Sequence, residues 1–121
     1  AWLVGVDDPV HRRDRLDEAL WGLDRRALPP VVLLAHSPDI MPDAVSARIP
    51  LVLVGHTHGG QLGIEWIRRL SDYATRGPYM SGAYREGETL LYVNRGIGSK
   101  TLPYRLLASP EVTVVEFRPS R

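Results

Sequence analysis

Two histidines stand two residues apart in Gly55-His56-Thr57-His58-Gly59-Gly60-Gln61, and a third, His36, precedes Ser37-Pro38-Asp39. A neutral imidazole binds first-row divalent cations through either ring nitrogen, so three such rings delivered to one rim point to metal. Gly55, Gly59 and Gly60 strengthen that reading, because glycine takes backbone angles closed to other residues and lets a ligand approach the main chain. A lone histidine after a strand is more often a hydrogen-bonded loop residue than a ligand, which is the simpler reading of His36 by itself. The glycine-flanked pair His56 and His58 shifts the balance toward metal. Arg95 sits in a glycine-containing loop, where a guanidinium either forks onto phosphate oxygens or braces the loop. Asp7 and Asp8 read as turn-shaping residues before Pro9 rather than a metal carboxylate pair. Asp39 reads as a residue that caps or turns the chain after Pro38.

The histidines follow apolar runs. Pro30-Val31-Val32-Leu33-Leu34-Ala35 leads to His36, and Ile49-Pro50-Leu51-Val52-Leu53-Val54 leads through Gly55 to His56. Short continuous runs of this kind are buried strands of a mostly parallel sheet. Such sheets bind ligands outside the carboxyl ends of their strands, so parallel pairing would open all three histidines onto one edge. Upstream, Trp2-Leu3-Val4-Gly5-Val6 is a third strand. Asp14 can cap a helix over residues 14–27, with Leu16, Leu20, Leu23 and Ala27 on one stripe and Pro29-Pro30 as its stop. Strand, helix and strand make a crossover unit, and a second unit follows through a loop and one short helix over residues 38–48. Residues 62–87 then read as a long irregular excursion in which Tyr73, Tyr79 and Tyr84 anchor the loop or line a substrate groove. Residues 89–93 and 112–117 read as antiparallel strands.

With 121 residues and 44% hydrophobic content, the chain is long enough to bury about two thirds of its unfolded surface. Its alternating strand and helix signals place it in the α/β class. The net charge of +1 gives no electrostatic case for nucleic acid or a membrane surface. The pairs Arg12-Arg13, Arg25-Arg26 and Arg68-Arg69 read as solvated helix faces. The absence of cysteine excludes disulfides and thiolate zinc sites. No segment approaches the roughly 18 apolar residues of a membrane span and no signal peptide is visible, which leaves localisation unknown and membrane association unread.

The Gly-His-Thr-His-Gly-Gly-Gln run resembles the closing motif of the calcineurin-like metallophosphoesterases, in particular a bacterial phosphohydrolase branch. Leu34-Ala35-His36-Ser37-Pro38-Asp39 is similar to that branch's preceding histidine motif. Tyr92-Val93-Asn94-Arg95-Gly96-Ile97-Gly98, Leu102-Pro103-Tyr104-Arg105 and Pro110-Glu111-Val112 are similar to its C-terminal signature. The resemblance extends over about residues 3–117. It implies that residues 1–121 are the C-terminal half of an α/β/β/α sandwich, with parallel strands and crossover helices followed by antiparallel strands. It also implies hydrolysis of a phosphomonoester or phosphodiester at two divalent ions, manganese, iron or zinc, with His36 and His56 on the second metal and His58 on the first. Arg95 is the candidate for substrate binding. The family's upstream Asp-x-His, bridging aspartate and Asn-His motifs do not occur in this sequence. The chain alone is therefore expected to be inactive and partly occupied by metal, and to be completed by an N-terminal half or by self-association. The alternative is a noncatalytic metal-binding or assembly module derived from the same fold.

Overall fold

The computed structural model describes residues 1–9, 13–24, 30–61, 78–99 and 103–118. Strand β1 spans Trp2–Gly5, β2 Val31–Leu34 and β3 Leu51–Val54. The three are parallel, with Leu34 opposite both Gly5 and Leu53. Strands β4, Gly82–Glu86, and β5, Thr89–Val93, form an antiparallel hairpin, and β5 lies parallel to β3. The result is one mixed sheet in the order β1-β2-β3-β5-β4. This is the mostly parallel α/β arrangement that the apolar runs require. Because β1, β2, β3 and β5 point the same way, the loops that leave their carboxyl ends share one edge.

The first helix is shorter than the apolar stripe suggests. Helix α1 spans Leu16–Ala19, begins after Arg15 rather than Asp14, and has no side-chain cap. Gly22 follows with φ at 79°, a left-handed residue of the kind that closes helices. Leu16 is buried, with Ala19, Leu20 and Leu23 packed partly against the core. Residues 20–24 of the expected helix are turn and coil, and residues 25–29, with Ala27 and Pro29, lie outside the described residues. Helix α2, Met41–Ser46, continues directly from a 3-10 turn at Pro38–Ile40. Ser37 rather than Asp39 caps that turn, its Oγ accepting the Asp39 N–H at 3.2 Å.

Two expectations fail downstream of the second histidine loop. Part of the presumed excursion is strand β4. Residues 112–117 form no strand although they alternate in polarity. Val112 and Val114 are 81% and 91% exposed, and the segment is fastened by side chains, Thr113 and Glu111 bonding Tyr92 and Asn94. Both edges of β5 are already taken by β3 and β4, so no ladder position beside it remains for a further strand. Leu62 to Gly77, with Tyr73, lie outside the described residues.

The core occupies one face of the sheet. Val4, Val31, Leu33, Val52, Leu91 and Val93 alternate onto that face and pack with Leu16, Ile40, Met41, Ala44 and Ile49. Each fully buried aliphatic side chain contributes roughly 1.5–3 kcal/mol. This side of the sheet is what holds the strand ends, and their loops, in fixed register.

Candidate metal centre

Register brings His36 and His56 together. Leu34 pairs with Leu53, and the pairing continues past the strands: Ala35 donates to Leu53 carbonyl at 3.1 Å and Gly55 donates to His36 carbonyl at 3.1 Å. Residue 36 is thereby fixed beside residue 55, and the next side chain is His56. Its Nδ1 lies 2.9 Å from His36 Nε2, with the rings edge-on and their centroids 4.7 Å apart. Asp8, on the loop after β1, brings Oδ2 to 3.6 Å from the same His36 nitrogen. Three of the four parallel strands thus send a polar side chain to one point.

The loop after β3 is bent by an unusual run of backbone angles. His56, His58, Gly59, Gly60 and Gln61 all have positive φ, from 49° to 76°. A non-glycine residue held there costs on the order of 1–3 kcal/mol, and such strain gathers at functional sites. The loop is held by buried anchors. Thr57 is fully buried, donates to Met80 carbonyl at 2.6 Å and accepts the Gly59 N–H at 3.3 Å. Gln61, also buried, donates from Nε2 to Tyr104 carbonyl, and its own carbonyl accepts the Leu106 N–H at 2.9 Å. A β-carbon at Gly59 would lie 2.8 Å from Arg95 Cγ. The glycine is therefore required twice, by its φ and by the close approach of Arg95.

Electrostatics favour a neutral His56 ring. Burial first, and then the neighbouring His36, hold the His56 imidazolium below the ordinary histidine pKa, with His58 adding to the effect and Asp8 and Asp39 opposing it. A ring kept neutral offers its lone pair to a cation. Metal–nitrogen bonds of about 2.1 Å would set two donors about 3.4 Å apart in a tetrahedron and about 3.0 Å apart at the right angles of an octahedron; the observed 2.9 Å, itself an ordinary hydrogen-bond separation, is near the latter. Among the described residues no group of three His, Cys, Asp or Glu side chains is arranged to hold a metal. The two nitrogens could therefore supply only part of a coordination shell.

Arg95 is tied to Glu111, its Nε 2.8 Å from Oε2 and its backbone N–H 3.3 Å from the same oxygen. Bonds from Tyr92, Arg95 and Thr113, in that order, hold the Glu111 carboxyl at a pKa of about 2. Bracing is thus the role visible for Arg95. Tyr79 is a core residue stacked edge-on against Tyr84, whose hydroxyl accepts the Met80 N–H; both are loop anchors. Asp8 is in the turn its sequence position suggests, its N–H donating to Asp7 Oδ1 at 2.7 Å, and the structure adds the approach to His36. The available signal for that approach was its place after a third parallel strand, on the same edge as the histidines.

The chain is 41% identical over 83 residues to an uncharacterized metallophosphoesterase, YkuE, of Bacillus subtilis, covering 69% of this chain and 29% of that protein. It is 36% identical to a transmembrane protein with metallophosphoesterase domain of Danio rerio, covering 92% of this chain and 26% of that protein. It is 37% identical to phosphodiesterase YaeI of Escherichia coli, covering 72% and 32%. The chain spans between about a quarter and under half of the length of the curated relatives it matches. No family model matches it, and no solved structure matches it.

Proposed function

We infer, for a chain that belongs to the metallophosphoesterase family, that residues 1–121 are the C-terminal part of a phosphoesterase domain and supply histidine ligands to a two-cation site. The observation that carries this reading is the 2.9 Å approach of His36 Nε2 to His56 Nδ1. It brings two ring nitrogens from neighbouring strand exits within hydrogen-bond distance of each other, so that loss of the shared proton would leave both free for a single ion. His58, two residues further along the same strained loop, is the ligand proposed for the other cation, the first metal of the pair. Divalent ions at such a site supply charge neutralisation at phosphoryl oxygens and an activated water.

The residues of this chain contribute position and protonation state. His56 stays neutral because its ring is partly desolvated and faces another imidazole. His36 is fixed by the main-chain bond from Gly55 to its carbonyl. The substrate is proposed to be a phosphomonoester or phosphodiester, in keeping with the phosphodiesterase named among the relatives. The remaining donors are proposed to come from a segment N-terminal to this sequence, and the isolated chain is proposed to be inactive.

The test is hydrolysis of an aryl phosphate with added manganese, by residues 1–121 alone and by the chain joined to the upstream half of a relative. Turnover is expected only in the joined protein, falling by at least about a hundredfold in H58A. Equal turnover in H58A would contradict the assignment. Metal-dependent stabilisation with no turnover in the joined protein would select a noncatalytic metal-binding module instead.

A further inference from the structure

One guanidinium ties together the carbonyls of four separate residues around the His58 turn. Arg105 Nε donates to Gly98 carbonyl at 2.8 Å, and its Nη2 donates to Arg95 carbonyl at 2.8 Å and also to Gly98 carbonyl. Its Nη1 lies 3.4 Å from His58 carbonyl and 3.3 Å from Ala108 carbonyl. The residues on either side are fastened to the same loop through Gln61, Tyr104 receiving its side-chain amide and Leu106 donating to its carbonyl. Gly98 stands close enough that a β-carbon there would touch the His58 ring at 3.9 Å.

We propose that Arg105 is a positioning residue for His58: it fixes the left-handed turn that aims this imidazole, and so sets metal affinity without touching metal or substrate. The physical case rests on strain. His58 has φ at 52°, a conformation an unbraced histidine leaves at little cost, and no other residue type provides five planar donors able to gather several carbonyls at once. Lysine keeps the charge but not the fork. The loops holding Arg95, Gly98 and Ala108 have no ladder partners at these positions, so the guanidinium substitutes for a ladder. This reading assigns the Tyr104-Arg105 segment to support of the histidine loop, and it rests on the proposal that His58 is a metal ligand.

The experiment has one arm that needs no metal. In R105K and R105A, imidazole and amide NMR signals of His58, Gly59 and Gly60 are expected to move and their amides to exchange about tenfold faster, while Leu33 and Val52 in the core keep wild-type protection. Guanidinium ion at low millimolar concentration should restore the signals in R105A but not in R105K. In the second arm, calorimetry on the chain joined to the upstream half of a relative, where both cation sites are proposed to be complete, is expected to show zinc affinity at the His58 site falling about tenfold in R105K while the His36–His56 site is unchanged, within the range for residues that orient ligands. Unchanged His58 signals in both variants would overturn the proposal, whether or not metal binds. Wild-type protein that binds no zinc, together with shifted His58 signals, would sink the metal reading and leave the brace standing.

Discussion

Individual residues at the edge of the sheet carry opposing demands, and each has a measurable consequence. His56 is held below the ordinary histidine pKa mainly by burial and next by His36. A folded pKa depressed below the unfolded value gives stability that is complete above about pH 6.5 and is lost as pH falls through the folded value. An NMR titration should find the His56 midpoint below that of an exposed histidine and see it rise part of the way back in H36Q, because the burial contribution remains. An unshifted midpoint would remove the case for a ring kept neutral by its surroundings. Glu111 has the same sign for a different reason. Its carboxyl titrates at about 2 instead of 4.5, so its contribution is present above about pH 4.5 and disappears toward pH 2. E111Q should cost on the order of 1–3 kcal/mol at neutral pH and flatten the acid limb of a denaturation series. At Gly59, alanine meets both a positive φ and Arg95, so G59A is expected to lose on the order of 2 kcal/mol or more and to disturb the Arg95–Glu111 pair. A loss below about 0.5 kcal/mol would mean that the loop has room the structure denies it.

At the level of elements, the strands were legible where burial alone decides and illegible where a partner decides. Val31–Leu34 and Leu51–Val54 are uninterrupted apolar runs between turn residues, and they appear within two residues of their expected limits. Their parallel pairing delivers His36 and His56 to one place, the part of the site most directly readable from sequence. The turn of the β4–β5 hairpin carried a signal that reading residues 62–87 as an irregular excursion left unused. Glu86 pairs with Thr89 across Gly87 and Glu88, and Gly87 has φ at 55°, which is the glycine-first two-residue turn. Its first strand was missed because Tyr84 and the glycines before it suggest loop. Residues 112–117 show the converse, since alternating polarity describes a strand only if a neighbour offers a ladder. Two contacts at the site have no sequence signature, the Asp8 approach to His36 and the Arg105 hydrogen bonds, because both depend on loops from distant elements closing over one another. Register itself can be tested. Inserting one residue between Val54 and Gly55 should separate His56 from His36 and reduce zinc affinity by about tenfold or more, with the core melting little affected. Undiminished affinity would show that strand register does not place the ligands.

Across the molecule's described residues, one face of the sheet is packed and the other is only partly covered. Leu3, Leu34, Leu53 and Tyr92 alternate onto the second face, and Leu3 and Leu34 are 68% and 38% exposed. Parallel strands are ordinarily buried on both sides, and β1 and β4 leave the outer edges of the sheet open. No helix among the described residues is long and apolar enough to cross a membrane. The relatives continue well beyond the region they share with this chain, so further polypeptide is the proposed cover for that face. Residues 1–121 alone are expected to bind a hydrophobic dye and to sediment as more than a monomer at high concentration, and L3D should suppress both. A dye-silent monomer would mean that the exposed leucines are compatible with a finished surface.

The central claim is that His36 Nε2 and His56 Nδ1 share one cation. The direct measurement is a zinc titration of uniformly 15N-labelled protein followed through its imidazole nitrogens. One equivalent is expected to move His36 Nε2 and His56 Nδ1 together to the metal-bound range, leaving the other nitrogen of each ring protonated. A response at only one of these rings, or at the opposite nitrogens, would contradict it.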